Sequence, residues 1–266
     1  MEREEWRVIF DSPRDGIFNM AADEAILAAT AAGDYGPTLR LYAWEPPTLS
    51  LGYAQPAADC DFDALRALGW GLVRRPTGGR AILHTDELTY SLVAAERHPL
   101  MQGGVLESYR RISRGLLAGL QRLGVDAAAD AGRVGRTGGN PVCFEVPSQY
   151  EISCAGKKLV GSAQARRLGC VLQHGTIPLR GDLARILQVL AHPDTTPERV
   201  RRRAATLGDL LGREVEWQEA AEAVCAGFAE TFTISFRREA LSEEEKTRAM
   251  VLAREKYGND EWTRRV

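Results

Sequence analysis

The sequence contains no run of about 18 apolar residues, so a membrane-spanning helix is not expected. Its opening, MEREEW, carries both signs of charge and lacks the apolar core of a signal peptide, which makes the cytoplasm the expected compartment. Cysteine is sparse: Cys60, Cys143, Cys154, Cys170 and Cys225 form no CxxC pair and no even framework. That excludes a disulfide scaffold and points to free thiols in a reducing environment. The four histidines and these cysteines do not cluster at ligand spacing, so no metal is expected. Positive charge is not in surplus either: 34 Lys and Arg against 36 Asp and Glu give −2, unlike a general nucleic-acid binder. The local exception is Arg199–Arg203, RVRRR, which reads as a solvated helix face or as a docking patch for an acidic carrier protein. Repeats and low-complexity segments are absent.

What is present centres on Arg74–Tyr90, RRPTGGRAILHTDELTY. Pro76 fixes φ, and Gly78-Gly79 permit positive φ or close backbone approach, so a tight turn is expected between two extended segments. Val73 before it, and Ala81–Leu83 and Leu88–Val93 after it, are apolar runs of buried-strand type. A glycine turn beside the guanidinium groups of Arg74 and Arg75 suits a thioester carbonyl, a carboxylate or a phosphate. An ordinary hairpin with a basic rim fits the same residues.

The rest of the chain, 266 residues and enough for a full core, reads as strands first and helices later. Trp6–Phe10 is strand-like, and Asn19 can cap a helix that runs to Ala32 and ends at Gly33. Thr38–Trp44 and Thr48–Gly52 are strands around Pro46-Pro47, and Asp61–Leu68 is a short helix. Val105–Leu123 has one apolar stripe with arginines opposite, an amphipathic scaffold helix. Residues 131–142, AGRVGRTGGNPV, lack the GK[ST] ending of a phosphate loop and read as an active-site loop or a surface linker. Residues 150–179 read as a β-meander turning at Gly156 and Gly169. Asp182–Leu190, Pro197–Arg203, Thr206–Leu211 and Glu216–Phe228 are helical, Thr231–Phe236 is strand-like, and Leu241–Tyr257 is a last helix.

Cys143 ends the Gly-rich loop, and Lys157-Lys158 follow in the next hairpin. A lysine beside a thiol lowers its pKa and favours the nucleophilic thiolate. Taken alone, a cysteine among small residues reads as an inert buried thiol before it reads as a nucleophile. His174, in LQHG, invites a Cys–His dyad or a satisfied sheet histidine; His98 and His192 precede proline and read as turn residues. Cys154 and Cys170 alternate with apolar strand residues and read as core.

Arg74-Arg75…Gly78-Gly79…His84, followed by CFEVPSQYE…GKKLVGSAQ…LQHG, resembles the biotin/lipoate protein ligase and octanoyltransferase superfamily, and its octanoyltransferase subgroup in particular. NMAADEAIL and PTLSLGYAQ resemble it too, so the likeness covers nearly the whole chain. It implies an α+β catalytic domain, a mixed sheet with helices packed on one side. That domain takes in residues 1–266, with a core of about 33–240 and 241–266 as a helix and tail on it. It implies Cys143 as the acyl-thioester nucleophile and Lys158 as the residue that lowers its pKa and binds the carbonyl. Arg74, Arg75, Gly78, Gly79, His84, Gly161, Ser162, Ala163 and His174 are implied to line the substrate site, with no cofactor. The implied reaction moves octanoyl from octanoyl-acyl carrier protein to a lysine of a lipoyl domain, that of the glycine cleavage H protein, by a monomer that binds neither nucleic acid nor membrane. An ATP-dependent lipoate–protein ligase, an amidotransferase between lipoyl domains and a non-catalytic binding module are the alternatives. Ligases typically carry a third glycine where this chain has Arg80, and need no thiol at Cys143.

Overall fold

The computed structural model describes residues 3–129 and 151–266. Cys143 and the Gly-rich stretch 131–142 therefore lie outside the described residues. In chain order the elements begin with β1 (Glu4–Phe10), α1 (Gly16–Ala32), β2 (Thr38–Tyr42), β3 (Thr48–Leu51), α2 (Phe62–Leu68), β4 (Gly71–Arg74), β5 (Ile82–His84) and β6 (Glu87–Ala95). Then come α3 (Val105–Arg122), β7 (Ala128–Ala129), β8 (Glu151–Cys154), β9 (Lys157–Arg167) and β10 (Cys170–Pro178). A 3-10 segment (Leu183–Val189) leads to α4 (Pro197–Arg203), α5 (Leu207–Leu211), α6 (Trp217–Phe232), β11 (Ile234–Arg238), α7 (Glu243–Leu252) and α8 (Asp260–Thr263).

Among the described residues the strands form an eight-stranded mixed sheet, ordered β11-β1-β2-β6-β10-β9-β8-β7, and a three-stranded sheet, β4-β3-β5. The two strands expected on either side of Pro46-Pro47 thus enter different sheets. Both hairpins of the meander turn through consecutive left-handed residues, Ala155-Gly156 and Leu168-Gly169, the backbone that two-residue hairpin loops require.

Strand alternation sends Trp6, Val8, Leu39, Leu41, Tyr90 and Leu92 to one face, under α3 and α6. It sends Ile9, Tyr42, Val93 and Leu172 to the other, under α1 and α7. Helices on one side were expected; the sheet carries them on both, because α1 buries its apolar residues on the second face and α7 packs against α1 there, tied to β1 through Glu245. Two further expectations are corrected. Asp15, not Asn19, caps α1, accepting from the Phe18 N–H. Asn19 sits inside the helix, its amide donating to the Arg14 and Ala43 carbonyls. The strand expected at Thr231–Phe236 starts only at Ile234, since α6 runs on until Thr233 caps it in the left-handed region.

Helices α3 and α6 cross with their backbones in contact. A Cβ at Gly227 would lie 2.2 Å from the Gly119 nitrogen and 2.6 Å from the Gly115 carbonyl oxygen. Gly227→Ala is expected to destabilise the chain by about 1–3 kcal/mol, as overpacking does, and to lower its urea midpoint without changing the slope. An unchanged midpoint would mean that the crossing yields freely.

The C-terminal residues end on the small sheet. The Trp262 indole donates to the Arg74 carbonyl at 2.9 Å, and Arg74 Nε donates to the Thr263 carbonyl at 3.0 Å. Chain-terminal and active-site segments are thereby tied together.

Candidate active site

The expected turn after β4 is present, and its glycines are used as steric relief. Gly79 has φ +96°, and a Cβ at Gly52 would come within 1.9 Å of the Gly79 carbonyl oxygen. The end of β3 and the Pro76–Arg80 turn can approach only because both positions lack side chains. The arginines before the turn hold it from behind. Arg74 Nη1 donates to the Gly52 and Gln55 carbonyls at 2.7 and 2.6 Å. Arg75 donates to the Ser50 carbonyl and hydroxyl and to the Gly78 and Arg80 carbonyls. Both guanidinium groups are buried, so their described contacts shape the turn; the groups left facing open space are Gly78, Gly79 and Arg80. These line a cleft of about 490 Å³ with Tyr53, Gln55, Pro76, Gln164, Ala165 and Arg167.

Behind the turn lie two buried hydrogen-bonded chains. In the first, His84 Nε2 meets the Ser50 hydroxyl at 2.7 Å and Nδ1 meets Glu87 at 2.6 Å. Its ring is stacked on Trp44 with centroids 3.9 Å apart. In the second, Thr77 meets His174 Nε2 at 2.6 Å, and His174 Nδ1 faces Asp23 at 3.3 Å. Asp23 also accepts from Arg40 and from the Tyr42 hydroxyl. Both ring nitrogens of His174 are thus engaged, which is the satisfied sheet histidine of the two readings. The first chain braces the small sheet, and the second fastens the turn to β10.

Burial pushes the His174 pKa below 6.5, outweighing the pull of Asp23, so the ring is neutral. Unfolding releases it to its ordinary value. Its contribution is therefore complete above about pH 6.5 and is lost as pH falls toward the lower folded-state value. Urea unfolding of the chain at pH 7.5 and pH 5 is expected to give a lower midpoint at pH 5, and His174→Asn to reduce that drop. An equal drop in the variant would place the titration elsewhere.

The meander supplies the lysine. Gly161 and Ala163 pair with Thr176 and His174, and Glu151 pairs with Gly161. The register shifts by one between Ile152 and Ser153. That bulge turns Lys158 to the face of Glu151 and Gly161 rather than that of Val160. The Lys158 ammonium donates to Glu151 at 2.6 Å, both side chains being at most 8% exposed. Lys157 is only half-buried. Ser162 points the other way, its hydroxyl 2.6 Å from that of Tyr90 in the α3-side core. Of the sequence-derived set, the structure gathers Lys158, Gly161, Ala163 and His174 on one face and sends Ser162 to the other. Gly175 allows this packing: a Cβ there would meet the Gly161 carbonyl oxygen at 2.5 Å and the Tyr90 ring at 2.7 Å. Glu151 went unrecognised in the sequence, although the two-residue hairpin turn already places it diagonally across from Lys158.

Lys158 and the cleft stand at two ends of β9. Seven residues separate Lys158 from Ala165, about 23 Å at 3.3 Å per residue. Gly161–Ala163 and His174 lie between.

The chain belongs to the lipoyl protein ligase A/B catalytic-domain family, whose description matches residues 15–229. It is 45% identical to octanoyltransferase LipM of Symbiobacterium thermophilum, over 98% of both chains. To octanoyltransferase LipM of Kyrpidia tusciae it is 46% identical, again over 98% of both. A bi-partite lipoate protein ligase of Thermoplasma acidophilum, solved in work on that ligase and its E2 lipoyl domain, matches with a TM-score of 0.81 at 29% identity. That match covers 98% of this chain and 96% of the other. The chain is an acyltransferase of this family.

Proposed function

We propose that this acyltransferase moves an octanoyl group from octanoyl-acyl carrier protein to a lysine of a lipoyl domain through a thioester on Cys143. The observation that carries the reading is the buried Lys158, held by Glu151 at the edge of the large sheet. The described residues on either side of the stretch that holds Cys143, Ala129 and Glu151, lie on β7 and β8, the two strands next to that of Lys158.

In the first step the Cys143 thiolate attacks the donor's carbonyl carbon. A new C–S bond forms, the carrier's C–S bond breaks, and the carrier leaves as a thiolate that takes a proton from solvent. In the second, a neutral lysine amine of the acceptor attacks the enzyme thioester. The C–N bond forms, the Cys143 sulfur leaves with the electron pair, and the amine proton passes to it or to solvent. Exchange between thioesters is nearly isoergic and amide formation is downhill, so no ATP is needed. The ammonium of Lys158 favours the thiolate and the carbonyl oxygen's developing charge in both steps.

The chemistry of the described thiols supports giving the nucleophile's role to Cys143. Burial pushes Cys60 and Cys225 up to about 12 and raises Cys170, so all three are poor thiolates at neutral pH. Cys154 packs against the core. A lipoyl domain as acceptor is supported by the neighbour solved in work on a lipoate protein ligase and its E2 lipoyl domain, and the glycine cleavage H protein is the acceptor we name.

The test is intact-protein mass spectrometry after mixing the chain with octanoyl-acyl carrier protein and no ATP. One octanoyl adduct, removed by hydroxylamine and absent from Cys143→Ala, is expected. Transfer only from free octanoate with ATP would replace this reading with a ligase. An adduct formed only from octanoylated H protein would replace it with an amidotransferase.

A further inference from the structure

The basic run Arg199–Arg203 has a place in the fold that its sequence did not reveal. Helix α4 carries it, opened by Thr196 and Pro197 and closed at Ala204. The chain leaving α4 is bonded to the backbone of Lys158 itself: Lys158 bridges Ala204, and the Ala205 N–H donates to the Lys158 carbonyl at 3.0 Å. Val200 and Ala204 are buried, whereas Arg201, Arg202 and Arg203 are exposed. The helix packs on the 3-10 segment before it, to which Arg201 is joined by an ion pair with Asp182 at 2.7 Å.

From Arg180 to Arg203 six arginines stand against Asp182, Asp194 and Glu198, with Asp86 paired to Arg180 and Arg185, a local +2 in a chain of net −2. Half-buried Lys157 adds to it at the adjoining hairpin turn. The last turn of any helix favours a cation, and one or two would satisfy it. Three consecutive arginines there, all turned to solvent beside the active-site lysine, exceed that need. Arg202 has no hydrogen-bonding or ionic partner among the described residues.

We propose that the exposed face of α4 is the docking surface for the acyl donor, a carrier protein with an acidic face. The proposal rests on the acyl-transfer reading given above and names which of the two partners this surface serves. Charge decides between them. The donor reaches Lys158 on a phosphodiester-linked arm, so its reacting end carries negative charge toward the arginines. The acceptor reaches the same place with a lysine amine, which brings no negative charge for the arginines to attract. Complementary charge at the rim of a site steers encounter and sets its salt dependence.

The test compares the full-length chain with Arg201→Gln/Arg202→Gln, and with the single reversal Arg202→Glu in case the double variant folds poorly. Octanoyl uptake is followed from octanoyl-acyl carrier protein and from octanoyl-N-acetylcysteamine, a small neutral thioester. Delivery of the loaded octanoyl group to a lipoyl domain is timed separately. At low ionic strength the protein donor's kcat/KM is expected to fall about tenfold in the double variant, with a flattened salt dependence, while the small thioester and the delivery step are unchanged. Unaltered uptake from the protein donor overturns the proposal. So does an equal loss with both donors, which marks a structural role, or a loss confined to delivery, which assigns the surface to the acceptor. A wild-type chain that takes octanoyl from neither donor overturns the acyl-transfer reading itself.

Discussion

A Lys158→Met chain is expected to take up octanoyl at least about a hundredfold more slowly and to unfold at a lower urea concentration. The rate effect is that of removing one charged donor from a developing oxyanion, about 10²–10³. On the proposed thioester relay it is compounded by loss of the cation that would favour the Cys143 thiolate. The stability effect has a separate origin, because Glu151 is 8% exposed and loses the ammonium held at 2.6 Å. Removing one partner of a buried pair costs about 3–5 kcal/mol.

The two effects can be separated. Adding Glu151→Gln to Lys158→Met removes the buried negative charge that the ammonium balanced and is expected to restore most of the stability and none of the activity. Uptake by intact-protein mass spectrometry and unfolding in urea give the two readings. Recovery of both would make Lys158 a structural lysine that happens to lie near the segment of Cys143.

The run Gly-Lys-Lys-Leu-Val-Gly-Ser-Ala marks Lys158 as a candidate, and the two-residue turn puts Glu151 within its reach, but the neighbours it shares a face with along β9 were not legible. Strict alternation along β9 would put Lys158 with Val160 and Ser162, away from Gly161 and Ala163. Only the register shift at Ile152/Ser153 reverses this, and a bulge in a run of ordinary strand residues leaves no compositional mark. For the same reason Ser162 was grouped with the site although its hydroxyl belongs to the Tyr90 side of the sheet.

Arg74 and Arg75 illustrate a different limit. Their charge and their glycine neighbours correctly mark a built turn, but charge alone does not say whether a guanidinium faces a ligand or a carbonyl. Among the described residues the carbonyls of residues 50, 52, 55, 78, 80 and 263 accept from them, while the buried Arg74 Nη2 meets no acceptor there. Long-range pairing was the least legible of all. Strand β11 lies parallel to β1 across more than 220 residues, and α7 is anchored by a buried bidentate pair between Arg7 and Glu245. Glu245 reads locally as the third residue of a capping box after Ser242, and it serves there as well. Nothing in the local pattern announces its second partner.

Arg40→Met is expected to have a stability effect as large as that of Lys158→Met. The Arg40 side chain is fully buried on β2 and is bound by Asp11 at 2.8 Å, Asp23 at 3.0 Å and the Asn19 side chain at 2.8 Å. Burial alone would raise the Asp23 carboxyl; the His174 hydrogen bond and the charge of Arg40 outweigh it and hold it below 3.8. In the wild-type chain, that carboxylate's contribution is present above the ordinary value and lost as pH falls through the depressed one. Arg40→Met removes the principal counter-charge, and the expected cost at pH 7 is about 3–5 kcal/mol.

The sign of the pH dependence then reverses at Asp23. Without Arg40, burial dominates and its pKa moves above that of an unfolded aspartate. The folded variant now holds a proton that the unfolded chain releases, so its stability improves as pH falls. The deficit relative to wild type is therefore expected to be largest near pH 7.5 and to shrink toward pH 5. Adding Asp23→Asn to Arg40→Met should recover part of the deficit at pH 7.5 and abolish most of its pH dependence. Urea midpoints at the two pH values measure this directly. A deficit that is the same at both would show that Arg40 acts through packing on Tyr42, whose ring lies 3.9 Å from its guanidinium carbon, rather than through the charge of Asp23.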